Sequence, residues 1–207
     1  MQKDEKTRWN KKYSEGPRPA LELSREPEPF LLDAFGEFLA ARLPGTALDV
    51  AGGAGRNALW LAQRGWRVKL IDISEAGVAL ARENAAKMFP SAAGAAASNQ
   101  PLFTAEVMDL NSHPDLGDEQ YDLVVVFFYL QRELFPALIR ALKPEGFLIY
   151  ETYTVEQSQS GGPSNPKYLL RPDELLHAFG CMRILHYRER ASGKAVAEMV
   201  AQKPKIR

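Results

Sequence analysis

Cysteine occurs once in the 207 residues, at Cys181. A lone thiol excludes an intrachain disulfide and a thiolate cluster for structural zinc, and it suits a reducing, cytoplasmic setting. Histidine is nearly as scarce. His113, His177 and His186 share neither metal-ligand spacing nor an element, so no metal site is expected. Charge of one sign is missing too: Lys and Arg total 26 against 26 Asp and Glu. That balance gives no broad field to grip a phosphate backbone, and nucleic acid is not an expected partner. Long apolar runs are absent, the longest being the eight residues Leu123 to Leu130, against the roughly 20 a helix needs to cross a bilayer. The opening MQKDEKTRWNKK has no apolar core behind it and does not read as a secretory signal. Residues 1–207 are expected to form a single cytoplasmic domain, monomeric or weakly dimeric, with residues 1–45 as an N-terminal helical cap and 46–203 as an α/β core.

What is present is a regular alternation of periods. Trp9 and Tyr13, one helical turn apart, predict an amphipathic helix, and the apolar spacing from Pro27 to Leu43 predicts a second, packed one. Strands are predicted at Thr46–Ala51, Trp66–Asp72, Leu102–Leu110, Asp122–Tyr129 and Gly146–Tyr153, with helices between them and Ser74 capping the third helix. The near-continuous apolar core of the fourth strand suits burial on both faces. Two last strands, Cys181–Glu189 and Lys194–Gln202, flank a turn at Ser192-Gly193 and predict a hairpin, with Cys181 as a small buried hydrophobe. The fold class is therefore α/β, a doubly wound, mostly parallel seven-stranded sheet closed by an antiparallel hairpin, Rossmann-like.

The most informative stretch, LDVAGGAGRNALWLAQRGWRVKLIDIS (48–74), runs strand, glycine turn, helix, strand, acid. Ligands of open α/β sheets bind outside the carboxyl ends of the strands, where this turn lies. Gly52, Gly53 and Gly55 remove side chains where backbone must approach a ligand. Asp72 ends the second strand, where a carboxylate can accept from ribose hydroxyls, and Asp109 ends the third. Gly53-x-Gly55-x-x-Ala58 followed by Asp72 also fits a dinucleotide fingerprint, so the turn alone leaves two readings. Asp49, inside the first strand, is badly placed beside a pyrophosphate and well placed beside an ammonium group. The closing hairpin replaces the further crossover a dinucleotide fold would add.

With Trp9-Asn10-x-x-Tyr13, Gly55-Arg56-Asn57-Ala58, Lys143-Pro144-Glu145-Gly146 and Gly161-Gly162-Pro163, the chain resembles the class I S-adenosylmethionine-dependent methyltransferases, most of all their small tellurite-resistance-type branch. The resemblance implies S-adenosyl-L-methionine as cofactor. Asp49 and the backbone of Ala51 to Gly55 would face its methionine part, Asp72 its ribose and Asp109 its adenine amino group. Arg56, Asn57, Ile73 and Leu110 would line the same site, with Trp9 and Tyr13 closing over it. Ala51 and Glu145 stand where that family usually has glycine.

Tyr129, Arg132, Glu151 and Tyr153, at or just beyond the ends of strands four and five, are the candidates for the acceptor side. Glu151 alone is a candidate base. The loop from Thr154 to Leu170 is expected to act as a lid over a small-molecule acceptor such as a thiol or metalloid oxyanion. The competing readings are an NAD(P)-dependent oxidoreductase and a non-catalytic S-adenosylmethionine-binding protein.

Overall fold

The computed structural model describes residues 2–15, 26–90, 101–112, 114–160 and 163–205. His113, Gly161 and Gly162, together with most of the alanine-rich stretch after Pro90, lie outside the described residues. The strands are β1 (Thr46–Val50), β2 (Arg67–Asp72), β3 (Phe103–Val107), β4 (Tyr121–Phe127), β5 (Leu142–Tyr153), β6 (Arg183–Glu189) and β7 (Val196–Gln202). The helices are α1 (Gln2–Glu15), α2 (Pro29–Ala34), α3 (Arg56–Gln63), α4 (Glu75–Met88), α5 (Phe135–Ala141) and α6 (Glu174–Ala178). All seven strands belong to one sheet, in the order β3-β2-β1-β4-β5-β7-β6. β1–β2, β2–β3 and β4–β5 pair in parallel, and β7 pairs antiparallel with both β5 and β6. This is the mostly parallel sheet with an antiparallel hairpin that the sequence pattern implies.

The chain packs as two compact units, residues 1–29 with 42–114, and residues 30–41 with 115–207. The segment expected as one cap is thus divided between them. In the first unit, Leu48, Leu61, Trp66, Leu70 and Ile71 form the centre of the core. α3 begins at Gly55, whose φ of +86° only glycine adopts readily, and stops at Gly65. α4 begins at Ser74, whose hydroxyl accepts from the Gly77 N–H at 3.0 Å.

In the second unit, β4 is buried along nearly its whole length. Tyr150, Phe135 and Phe179 pack ring against ring at 5.0 to 6.2 Å beneath α5 and α6. Pro136 is tolerated in the first turn of α5. The expected helix 27–43 is shorter: α2 runs on only as a five-residue π segment, Phe35–Leu39, before Pro44. β5 starts at Leu142 rather than Gly146, with a register break opposite Tyr121 and Leu123 absorbing the Pro144-Glu145 turn. Cys181 is exposed, not buried, because β6 begins two residues after it, at Arg183. No described helix is long and apolar enough to cross a membrane.

Candidate active site

The glycine turn joins β1 to α3 and is built around two carboxylates. Asp49 is fully enclosed within β1, and its Oδ2 accepts the Ala58 N–H at 3.2 Å. Burial pushes its carboxyl up to about 7. The nearby Asp72 charge adds to this, while the Ala58 N–H and the Arg56 charge oppose it. Asp72 closes β2 with its Oδ2 on the Gly53 N–H and its Oδ1 on the Ser74 N–H, both at 2.8 Å. Each of its oxygens keeps a second lone pair for a donor such as a ribose hydroxyl. Burial raises this carboxyl too, against those two N–H donors.

The glycines answer first to the chain itself. A Cβ on Gly52 would meet Asp49 Oδ2 and Leu70 Cδ1 at 2.7 Å, and one on Gly53 would stand 2.0 Å from the Tyr13 hydroxyl. Gly53 and Ala51 both have a φ of +56°. Ala51, where glycine is the family's habit, therefore carries a left-handed backbone at a cost of about 1–2 kcal/mol.

Helix α1 lies on this turn. The Tyr13 ring packs on Gly77 as well as over Gly53, and Trp9 stacks with it at 6.2 Å. Burial, then the Asp72 charge, lifts the Tyr13 phenol above its ordinary range. Asn10 fixes the helix: its Oδ1 accepts the Ser74 hydroxyl at 2.8 Å and the Ala76 N–H at 3.1 Å. Arg56 pairs with buried Glu28, whose own N–H donates to Asn57 Oδ1 at 2.9 Å. Ile73 is half-buried and Leu110 buried. Asp109 holds a turn, its Oδ1 accepting from Asn111 N–H and Nδ2 at 3.0 and 3.3 Å.

Four candidates sit at the strand ends of the second unit. Arg132 is spent on structure: it binds both Glu174 oxygens, at 2.5 and 2.8 Å, and donates to the carbonyls of Lys167 and Leu169 at 3.0 Å. It fastens the loop after β5. The Tyr129 carbonyl accepts the Tyr150 hydroxyl at 2.8 Å. Tyr153 packs on Phe128 with ring centroids 5.0 Å apart. Glu151 is buried and ion-paired with Lys194 at 3.1 Å. The expected lid is tied at both ends, by the Thr154–Leu170 bridge and by Arg132. Among the described residues no group of His, Cys, Asp and Glu side chains is placed to hold a metal ion.

Residues 47–146 match the family described as Methyltransferase domain. YqeM of Bacillus subtilis (strain 168), which bears a methyltransferase name, is 29% identical over 133 residues, 59% of this chain; the chain spans about half the length of YqeM. Among solved structures, an S-adenosylmethionine-dependent methyltransferase from Aquifex aeolicus superposes with a TM-score of 0.61 at 20% identity, covering 90% of this chain and 98% of that one. TehB from Haemophilus influenzae gives 0.63 at 19%, covering 84% and 61%. Phosphoethanolamine N-methyltransferase 2 of Haemonchus contortus, solved with S-adenosyl-L-methionine, gives 0.66 at 16%, covering 84% and 52%. The fold is thus the one these solved methyltransferases share.

Several residues around this domain escape a reading of the sequence. Glu28 and Asn10 act on partners 28 and 64 or more positions away. Phe128 has a φ of +55°, unusual for a large side chain and invisible in its composition. Glu198 lies directly opposite Glu151 across β5 and β7. The alternation of β7 could have flagged it as a charge in an otherwise apolar strand.

Proposed function

We propose that this chain transfers the methyl group of S-adenosylmethionine to a small acceptor whose accepting atom is already nucleophilic, a thiolate or a metalloid oxyanion. The observation that carries the cofactor half is the Asp72 carboxylate, held by two backbone N–H groups with acceptor capacity left over at the carboxyl end of β2. Asp49, buried under the same turn with its carboxyl held up to about 7, would ionise beside a cationic ligand, which a pyrophosphate could not induce. The β6–β7 hairpin, in place of another parallel crossover, also speaks against the dinucleotide reading.

Bound S-adenosylmethionine supplies an electrophilic methyl carbon with a neutral thioether as leaving group. The residues of the chain then have to position and exclude water, and orientation of this kind is worth on the order of 7–11 kcal/mol. Ala51 to Gly55, Arg56 and Asn57 would hold the methionine end, with Asp72 and Ile73 on the ribose, and Asp109 and Leu110 at the adenine. Trp9 and Tyr13 would cover the site from α1.

On the acceptor side, Glu151 is a poor general base because Lys194 already holds it. A hydroxyl or carbon acid would need such a base and a soft nucleophile would not. The likeness of the motifs to the tellurite-resistance-type branch points the same way. The zero net charge speaks against a nucleic-acid partner, and the lone cysteine suits a cytoplasmic setting.

The test is incubation of the full chain with methyl-labelled S-adenosylmethionine and matched thiol, tellurite and catechol acceptors. Label on the thiol or the metalloid is expected. Preferential methylation of catechol would contradict the soft-acceptor reading.

A further inference from the structure

Two buried carboxylates meet under one glycine turn. Asp49 stands on β1 and is 1% exposed, and Asp72 ends β2 and is 6% exposed. They serve consecutive residues: a Cβ on Gly52 would lie 2.7 Å from Asp49 Oδ2, and the Gly53 N–H donates to Asp72 Oδ2 at 2.8 Å. Two carboxylates sharing a site shielded from water do not both ionise freely, since the charge on one raises the cost of charging the other.

The hydrogen bonds decide which of them keeps a proton. Asp72 accepts a backbone N–H on each oxygen, both at 2.8 Å, and such donors favour the charged form against the pull of burial. Among the described residues Asp49 accepts one, from Ala58 at 3.2 Å, the long end of the normal range. The other groups around Asp49 do not make up the difference. β2 presents Leu70 and the Asp72 charge, α1 the Tyr13 phenol, and α3 the Arg56 charge. Arg56 is already bound to Glu28. β4, which follows β1 in the sheet order, is apolar from Leu123 to Phe127. Burial is the largest influence on Asp49 and takes its carboxyl up to about 7, so just below neutrality the free chain holds this acid mostly uncharged.

A cation ends that neutrality. An ammonium group set against Asp49 favours the ionised form, the carboxyl O–H bond breaks, and the proton passes to the solvent. We propose that ligand binding at this turn is coupled to the release of a proton from Asp49, which makes the site select adenosyl ligands that carry an ammonium group and bind them more tightly as pH rises. The coupling deepens the cofactor assignment proposed above and rests on it. The two acids divide the work: Asp72 is held as an acceptor for the ribose by its two donors, and Asp49 takes on charge only when the methionine end is in place.

The test is calorimetric titration of the full chain at about pH 6 in MES and in Bis-Tris, buffers whose ionisation enthalpies differ, so that the difference in heat counts the protons exchanged. S-adenosylhomocysteine carries the ammonium group, and 5′-methylthioadenosine keeps the nucleoside thioether without the amino-acid end. Neither ligand has a group of its own titrating at that pH. Roughly one proton is expected to leave for each S-adenosylhomocysteine bound, and none for 5′-methylthioadenosine. The S-adenosylhomocysteine dissociation constant should tighten several-fold from about pH 6 to about pH 7.5, while that of 5′-methylthioadenosine stays level. Asp49→Asn has no such proton to lose, so its S-adenosylhomocysteine binding should exchange none and lose the pH dependence. The proton count of the parent decides the matter even if Asp49→Asn does not fold. No release with S-adenosylhomocysteine, equal release with both ligands, or release that persists in Asp49→Asn would overturn the proposal and leave the cofactor assignment in place. Failure of the parent to bind S-adenosylhomocysteine at all would overturn the cofactor assignment and the coupling with it.

Discussion

Asp49 shows how far a single residue can be moved from its behaviour in water. Its folded carboxyl titrates near 7, chiefly because it is buried, while the same group in the unfolded chain titrates near 4. Between those values the folded chain holds a proton that the unfolded chain releases. The stability contributed by neutral Asp49 is therefore complete below about pH 4 and is lost as pH rises through about 7. Asp49→Asn should remove that slope, so that urea midpoints at pH 5 and pH 8 lie closer together than in the parent. A parent midpoint that rises across this window would contradict the assignment. The acids were legible because strand ends and spacing are local properties of a sequence. Ala51 and Glu145 were legible as departures from a glycine habit, and both have left-handed backbones, at φ +56° and +64°. Glu28 was not legible, because its meaning depends on Arg56 arriving beside it from 28 residues away.

At the scale of elements, α1 matters most to the cofactor side. Its amphipathic spacing was readable from Trp9 and Tyr13, but its dock was not, since Asn10 caps a helix 64 residues further on. Asn10→Ala removes two acceptor contacts at the start of α4, each worth about 0.5–1.5 kcal/mol. Hydrogen exchange should then quicken in residues 2–15 while β1 and β2 keep their protection, and S-adenosylhomocysteine should bind several-fold more weakly. Unchanged affinity with a loosened α1 would remove Trp9 and Tyr13 from the cofactor site. The loop after β5 teaches the opposite lesson. Its Gly-Gly-Pro composition suggested a lid, and the ties of its ends to Arg132 and between Thr154 and Leu170 are contacts that no property of the loop's own sequence announces.

For the whole molecule, the alternation of strand and helix fixed the parallel part of the sheet, because the hydrophobic period changes at each element and right-handed crossovers leave few arrangements. The place of the last two strands depends on a subtler property. β7 is buried along almost its full length and takes the interior position beside β5, while β6, with Arg183, Arg188 and Glu189, makes the edge. Charged side chains on an edge strand discourage pairing with other chains, so the order β5-β7-β6 follows from composition once both strands are compared.

S-adenosylmethionine is the ligand proposed for the glycine turn between β1 and α3. Calorimetric titration of the full chain with S-adenosylhomocysteine and, separately, NAD tests this most directly. Saturable one-to-one binding of S-adenosylhomocysteine is predicted, weakened by about 1.5–3 kcal/mol for each charge-assisted hydrogen bond lost in Asp72→Ala, with no binding of NAD. A tighter dissociation constant for NAD, or an Asp72→Ala chain that binds S-adenosylhomocysteine as the parent does, would contradict it.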